Sequence, residues 1–241
     1  MKITALIPMK GHSERVKNKN MRSFCGKPLY HAIVTILEES TFVESIVIDT
    51  DSHVIADDAL NNFKKVRIIE RPKELCGDMI STNAIFAYDI SLCKGEHFLQ
   101  THSTNPLLTI ETLEHGIEDY FKSLDKFDSL FSVTQIQSRL YWESGKAINH
   151  DPKELLRTQD LPPVFEENSN FYVFSKTSFR TAGNRRIGLK PKMFPMNKLE
   201  ATDIDEEEDF SLAETLYSIK KKSSVHNTFP YRMPSTGNEI S

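Results

Sequence analysis

Short apolar runs alternate with longer segments of helical periodicity through the first half of the chain. The apolar runs, each typical of a buried strand, cover residues 3–8, 42–49, 65–69, 97–101 and 130–133. The segments between them repeat apolar residues at helical spacing, over residues 28–39, 54–63, 81–92 and 110–124. Because strands separated by helices of this length indicate βαβ units, we predict an α/β domain with a mainly parallel sheet and helices on both faces.

The pattern changes after residue 134. Residues 139–149 are typical of a hairpin with Ser144-Gly145 as its turn, and residues 151–170 are rich in proline and acidic side chains. We therefore expect a small lobe over about residues 135–175, inserted at the edge of the sheet. Lobes of this kind often carry substrate contacts or a dimer interface.

Regular periodicity returns after this lobe. Residues 171–174 and 193–196 are strand-like, and residues 206–220 predict a helix with one apolar face. Residues 223–241 are polar, contain two prolines and have no period, so we expect a loosely ordered tail. The predicted domain therefore covers residues 1–222.

Composition narrows the class of protein. The chain has 241 residues, of which 39% are hydrophobic and 27% charged, and its formal net charge is −4. These values are typical of a soluble globular domain and argue against nucleic acid as the main partner. No apolar run approaches the roughly 20 residues that span a bilayer, and no signal-peptide pattern follows Met1, so we expect a cytoplasmic protein without a membrane partner. The three cysteines lack metal-ligand spacing and are expected to be reduced.

The loop after the first strand carries the clearest chemical signal. It combines cations, small residues and amides, namely Lys10, Arg15, Lys17 and Lys19 among Gly11, Ser13, Asn18 and Asn20. Cations offset the charge of a polyphosphate, and small residues let backbone N–H groups approach it. A solvated basic loop is the alternative, but the position at the C-terminal end of a strand favours a ligand site. We expect Lys17 to be a solvated neighbour.

A second signal is the pair Asp203 and Asp205, which flank Ile204. In an extended segment both carboxylates point to one side. Two such carboxylates can hold Mg²⁺ (or Mn²⁺) and leave positions open for substrate phosphates. The acidic run at residues 206–209 has a simpler explanation, because acidic residues suit the first turn of a helix.

Three further segments carry candidate contacts, each with an alternative. Arg71, directly after a strand, can grip a nucleotide or bridge to a nearby carboxylate. The segment 99–106 is dense in hydroxyls and amides suited to a sugar; it contains Gln100 and His102, although a lone histidine is more often packed than catalytic. Arg157 can bind a substrate carboxylate or remain a solvated loop residue. The chain contains neither a Walker-type P-loop nor a G-x-G-x-x-G sequence.

Taken in order, these segments resemble the acylneuraminate cytidylyltransferase (CMP-sialic acid or CMP-nonulosonic acid synthetase) family over roughly residues 3–218. The matching segments are Ile7 to Ser13 with Lys19-Asn20 and Gly26 to Leu29; Arg71-Pro72 with Leu75 and Asp78; Thr104 to Leu107; Arg157 with Leu161-Pro162 and Asn168 to Tyr172; and Asp203 to Asp205 with Glu208 to Phe210. No single segment is decisive, but five in register are specific.

The resemblance implies a Rossmann-like fold of the nucleotidyltransferase type with a dimerisation lobe, and hence a homodimer. It implies transfer of CMP from CTP to the anomeric hydroxyl of a 2-keto sugar acid, with release of pyrophosphate. The resemblance implies that the nucleotide is bound by Lys10, Gly11, Ser13, Lys19, Asn20 and Arg71. It implies that the sugar is bound by Gln100, His102 and Arg157, with Arg157 on its carboxylate, and that the metal is bound by Asp203 and Asp205. The implied catalytic residues are Lys10, Lys19 and Asp205.

Departures from the family pattern leave the acceptor open. Lys10 stands where the family usually has Arg, and Glu14 stands where it often has Lys. Leu108 replaces an Arg, so the sugar pocket transfers least well and legionaminic or pseudaminic acid is as plausible an acceptor as N-acetylneuraminate. Two alternatives remain: a CMP-Kdo synthetase-like enzyme, and a nucleotide-binding regulatory protein with impaired turnover.

Overall fold

The protein was analysed as a computed structural model that describes residues 1–13, 15–77 and 79–224. Its nine strands within these residues are β1 (Ile3–Met9), β2 (Ser23–Phe24), β3 (Lys27–Pro28), β4 (Val43–Thr50), β5 (Val66–Glu70), β6 (His97–Thr101), β7 (Ser129–Ile136), β8 (Val164–Ser175) and β9 (Pro191–Pro195). The α-helices are α1 (His31–Glu39), α2 (His53–Asn62), α3 (Thr82–Leu92), α4 (Ile110–Lys122), α5 (Lys176–Thr181) and α6 (Glu207–Ser224).

Seven strands form one sheet in the order β5-β4-β1-β6-β8-β7-β9. The pairs β1–β4, β1–β6, β4–β5 and β7–β9 are parallel, and β8 runs antiparallel to both of its neighbours. The predicted mainly parallel α/β sheet is therefore confirmed. The carboxyl ends of β1, β4 and β6 meet at one edge of the sheet, which is where this fold class binds ligands.

Helices cover both faces of the sheet, as the apolar pattern predicted. Along β1, Ile3, Ala5 and Ile7 belong to one core cluster with α1, α2 and α4, whereas Leu6 packs on the other side with α3 and α5. This alternation follows from the two-residue period of a strand. Gly116 lets α4 approach closely, because a Cβ there would lie 2.7 Å from the Phe171 ring.

The lobe leaves and re-enters the sheet between β7 and β8. Its hairpin is present: Tyr141 bridges to Ala147, and Gly145 adopts a φ of 79° at the turn. The outer strands of the sheet are β5 and β9, so the lobe connects two interior strands, whereas the sequence placed it at the edge of the sheet. The predicted strand at 171–174 is the end of the twelve-residue β8, which the polar residues at 164–170 concealed from the apolar pattern.

The last helix runs beyond the predicted domain boundary. α6 extends to Ser224, four residues past the predicted end of that helix and two past residue 222. The loosely ordered tail was predicted from residue 223, so its first two residues belong to α6 instead. The rest of that tail, residues 225–241, lies outside the described residues, as does Glu14. Among the described residues, none of the helices is both long and apolar enough to cross a membrane.

Candidate active site

A polar cleft of about 440 Å³ lies where β1 and β6 end. It is lined by the following residues: Pro8, Met9, Lys10, His12, Ser13, Arg15, Lys19, Asn20, Asp51, Gly77, Ser103 and Thr104. Four of the six predicted nucleotide contacts line the cleft, namely Lys10, Ser13, Lys19 and Asn20. A fifth, Gly11, lies between two lining residues in the sequence. The basic loop is therefore one wall of a concave site, which a flat solvated loop would not be.

Asn20 fastens the basic loop to the sheet. Its Nδ2 donates to the carbonyl of Lys10 at 2.9 Å, and its Oδ1 accepts from Ser103 Oγ at 2.7 Å. Because Asn20 is buried and both ends of its amide are engaged, it holds the start of the loop against the end of β6. The structure thus gives Asn20 a positioning role, and the predicted nucleotide contact stays a prediction.

The Gly11 backbone N–H points at a carboxylate. It donates to Asp51 Oδ1 at 2.6 Å, and a Cβ on Gly11 would lie only 2.8 Å from Ser52 Cβ. The loop therefore already presents an N–H to an anionic oxygen, and only glycine fits between it and the start of α2.

The two predicted catalytic lysines approach the cleft from different sides. Lys10 Nζ donates to the Gly77 carbonyl at 3.3 Å. Lys19 Nζ donates to the Ile204 carbonyl at 2.6 Å and lies 3.9 Å from Asp205 Oδ1. Burial lowers the pKa of Lys19, while Asp205 and Asp203 oppose that shift, so the ammonium is held charged beside the acid pair.

Ile204 anchors the predicted metal carboxylates. It is fully buried with Val16 and Phe24 beneath the basic loop, and its N–H donates to the Thr104 carbonyl at 3.0 Å. Asp203 and Asp205 flank this anchored residue and stand outside the described lining of the cleft, beside Lys19. The apolar residue between two carboxylates therefore sets their position, and the structure brings both close to Lys19.

The two carboxylates have different surroundings. Desolvation by the surrounding protein raises the pKa of Asp203, and the nearby charge of Asp205 adds to this. Asp205 pairs with Arg15 at 2.7 Å, with the two side chains 50% and 61% exposed. The N–H of Asp205 donates to Asp209 Oδ2 at 3.1 Å, which fixes the turn into α6 and supports the capping role predicted for the acidic run.

This donor set suits an oxygen-binding divalent cation that is completed by phosphate. Among residues 1–13, 15–77 and 79–224, no group of three or more His, Cys, Asp or Glu side chains can hold a metal alone. Mg²⁺ is commonly held by one or two carboxylates plus substrate phosphates, and Asp203 with Asp205 beside a cationic loop match that arrangement.

Arg71 takes the second of its two predicted alternatives. Its side chain is 1% exposed, its Nε donates to Asp49 Oδ1 and its Nη2 donates to the Asp49 carbonyl at 3.2 Å. The guanidinium is therefore a buried partner of a carboxylate on β4. The nucleotide role implied by the resemblance stays a prediction.

Gln100 and His102 form a polar chain at the end of β6. Gln100 is buried; its Nε2 donates to the Thr101 carbonyl at 3.0 Å and contacts His102 Nε2 at 3.1 Å. Its Oε1 accepts from Arg186 Nη1. Burial and the Arg186 charge lower the pKa of His102 to about 4, so His102 is neutral and accepts from the amide at Nε2. Each polar group of Gln100 is already engaged.

Arg157 lies in the lobe and pairs with Asp160. Its Nε and Nη2 reach the Asp160 carboxylate at 2.6 and 3.1 Å, and its side chain is 73% exposed. It is absent from the lining of the cleft. The prediction that it binds a sugar carboxylate therefore stays a prediction.

Two residues, Asp51 in the cleft and Arg186 beside Gln100, were not predicted from the sequence, and Ser103 was included only within the polar segment 99–106. Asp51 and Ser103 lie in polar segments directly after β4 and β6, and strand order alone would have brought both to the cleft. Arg186 has no such signal, because it follows a Gly183-Asn184 turn far along the chain and reaches Gln100 only through the fold.

Known proteins match this chain over nearly its whole length. The sequence profile of the family described as Cytidylyltransferase matches residues 4–228. The chain is 27% identical to the pseudaminic acid cytidylyltransferase of Campylobacter jejuni over 237 residues, which cover 93% of this chain and all of that protein. It is 29% identical to the CMP-N,N'-diacetyllegionaminic acid synthase of Legionella pneumophila, with the same coverage of both chains.

A solved structure shares the fold at low identity. The CMP:2-keto-3-deoxy-manno-octonic acid synthetase complexed with CTP superposes with a TM-score of 0.67 and 9% identity, covering 91% of this chain and all of that one. At this identity the likeness concerns the fold alone.

Proposed function

Because the chain belongs to the cytidylyltransferase family, we propose that it transfers CMP from CTP to the anomeric hydroxyl of a nonulosonic, sialic-acid-like 2-keto sugar acid. The family match makes the chain a nucleotidyltransferase with CTP as its substrate. The acceptor class is supported by two relatives that are aligned over their full lengths and are named for pseudaminic and diacetyllegionaminic acids. The observation that carries the proposal is the contact of the basic loop with the acid pair through Lys19 and Ile204.

The triphosphate would lie along the basic loop. Lys10 and Lys19 offset its charge, and the Gly11 N–H, which now faces Asp51, and Ser13 orient its oxygens. Lys10 offers a point charge where the family usually has a bidentate Arg, so its grip depends more on distance than on orientation.

Asp203 and Asp205 would hold Mg²⁺ (or Mn²⁺) beside Lys19. A divalent cation there neutralises developing charge on the phosphates. For Asp205 to serve, its ion pair with Arg15 has to open, and Arg15 is then available to a phosphate oxygen.

The reaction is an in-line displacement at the α-phosphorus. The anomeric oxygen of the sugar forms the new bond to phosphorus, the bond to the β-phosphate oxygen breaks, and pyrophosphate leaves with that electron pair. The proton of the attacking hydroxyl passes to Asp205, and Lys19 stabilises charge on the phosphates.

We further propose a cytoplasmic homodimer that associates through the lobe. Exposed apolar side chains on the lobe support this, with Trp142 and Leu155 60% and 92% exposed.

A CMP-Kdo synthetase-like acceptor is the nearest alternative, and the CTP-bound octonic acid synthetase shares this fold.

Acceptor-dependent pyrophosphate release tests the proposal. The protein is incubated with CTP, Mg²⁺ and a panel of nonulosonic acids and Kdo. Release with a nonulosonic acid supports the proposal, and release with Kdo alone favours the alternative. CTP binding without release for any acceptor would indicate the regulatory protein.

A further inference from the structure

Arg186 is a partly buried cation, and none of the described residues forms an ion pair with it. Its guanidinium stacks on the Tyr172 ring at 4.0 Å and lies 5.4 Å from the Phe86 ring. Burial lowers its pKa, which records the cost of keeping the charge there. One neutral acceptor, Gln100 Oε1, is bonded to it within the described part of the chain.

The acidic side chain that acts on Arg186, Glu167, already has another hydrogen-bond partner. The charge of Glu167 acts on Arg186, but no ion pair joins the two among the described residues, and Glu167 Oε1 accepts from the hydroxyl of Tyr172. A guanidinium has five N–H donors, and a partly buried one without a carboxylate partner is costly unless a ligand supplies the anion.

Arg186 is connected to the cleft by a short chain of fixed groups. It donates to Gln100, and Gln100 contacts His102 at 3.1 Å. His102 is followed directly by Ser103 and Thr104, which line the cleft. His102 therefore links Gln100 to the residues that line the cleft.

We propose that Arg186 binds the carboxylate of the sugar acid and so determines that the acceptor must be an acid. This rests on the proposed function, because the acceptor's one formal negative charge at neutral pH is that carboxylate. Stacking on Tyr172 holds the guanidinium plane, and Gln100 positions one edge of it, so the remaining N–H groups are preorganised for a two-oxygen ligand.

Arg157 is the competing candidate for the same role. The Nε and Nη2 groups of Arg157 already donate to both oxygens of Asp160 within the lobe. Arg186 has no such carboxylate among the residues that the structure describes. Binding an anion at Arg186 therefore breaks no existing ion pair, whereas binding one at Arg157 does.

The test compares Arg186→Met with a matched neighbour. Arg185→Met is the control, because Arg185 is exposed and its Nε donates to the backbone carbonyl of Ala182. Acceptor KM and CTP KM are measured with the acid and with its carboxamide analogue, and CTP binding is measured by calorimetry. Arg186→Lys is included to keep the charge, and Arg157→Met is assayed in parallel.

Arg186→Met should raise the acceptor KM at least about 30-fold for the acid, with little change in CTP KM or in activity on the carboxamide. Arg186→Lys should recover part of the loss. Equal losses for acid and carboxamide, or a larger acid-specific loss in Arg157→Met, would overturn the assignment. Because CTP binding reports folding, a variant that has lost it is replaced by Arg186→Gln. Absence of pyrophosphate release in the unmodified protein with every acceptor would instead reject the proposed function.

Discussion

Lys19 Nζ donates to the carbonyl oxygen of Ile204 at 2.6 Å, across 185 positions of sequence. This bond joins the basic loop to the segment that carries the two carboxylates. Val16 of the loop and Ile204 also share one buried cluster with α6, so the wall that would bind phosphate and the wall that would bind metal are held by the same core. Both walls are therefore in place before any ligand binds, which is the preorganisation that phosphoryl transfer requires.

The contact makes Lys19 the first residue to test. Lys19→Met should lower kcat by about 100-fold or more, since a buried positive charge beside the reacting phosphates is lost. Lys17→Met is the control, because Lys17 is exposed on the same loop and should leave the rate within about twofold. Steady-state kinetics measure both. Equal rates for Lys19→Met and Lys17→Met would remove Lys19 from the mechanism.

The carboxylate pair gives a prediction about metal binding. Asp205→Asn should abolish turnover and weaken Mn²⁺ binding in the presence of CTP, as measured by electron paramagnetic resonance of free Mn²⁺. Glu206→Gln, at the exposed neighbouring position, should preserve both. Unchanged Mn²⁺ binding in Asp205→Asn would contradict the assignment of this carboxylate to the metal.

The ion pair between Arg15 and Asp205 should compete with the metal. Arg15→Gln removes the partner of Asp205 and should lower the Mg²⁺ concentration needed for half-maximal activity, while raising CTP KM if Arg15 then contacts phosphate. The effect should be strongest at low ionic strength, because both side chains are half-exposed or more. A higher Mg²⁺ requirement in Arg15→Gln would contradict this exchange.

Arg71 should matter for stability more than for CTP. Arg71→Met leaves the carboxylate of Asp49 buried and unpaired, which should cost about 3–5 kcal/mol of unfolding free energy. Adding Asp49→Asn should recover part of the loss. Urea titrations with circular dichroism measure it. A stable Arg71→Met with a raised CTP KM would instead support the nucleotide contact that the family resemblance implies.

The buried side chain of Asp89 predicts how the stability of the protein depends on pH. Burial and the neighbouring Asp49 raise the pKa of Asp89 to about 9. The folded state therefore keeps a proton that the unfolded state releases near pH 4, so this contribution is complete below about pH 4 and is lost as the pH rises toward 9.

Unfolding free energy should fall by up to about 1.4 kcal/mol per pH unit from this group between about pH 6 and 9. Asp89→Asn should flatten the decline, and the exposed control Asp125→Asn should not. Denaturant titrations at several pH values measure the slopes. The same slope in Asp89→Asn and in the unmodified protein would show that Asp89 titrates normally.

The sequence predicted the candidate site best where a chemically distinctive segment directly follows a predicted strand. The apolar runs predicted the strands, and the basic loop lines a cleft at the end of β1, where this fold class binds ligands. The Asp203–Asp205 pair lies beside that loop through the contacts of Lys19. Ile204 between the two carboxylates is a local pattern, and its burial was sufficient to orient them.

The sequence did not reveal which side chains, distant along the chain, contact each other in the fold. The partner of Arg71 is on β4, and the choice between nucleotide and carboxylate depended on which strand lies beside β5. Arg186 carries no local pattern, and its position over Tyr172 depends on the packing of α5 and the turn after it. Asn20 was predicted to be a ligand contact, but its side chain is engaged within the protein, which the sequence does not reveal.

The fate of labelled phosphorus tests cytidylyl transfer most directly. CTP labelled at the α- or the γ-phosphate is incubated with Mg²⁺ and the preferred sugar acid, and products are separated by chromatography. Attack at the α-phosphorus predicts that α-label appears in the sugar product and γ-label in pyrophosphate, in equal amounts. Transfer of γ-label to the sugar, or retention of both labels in CTP that is nevertheless bound, would contradict the account.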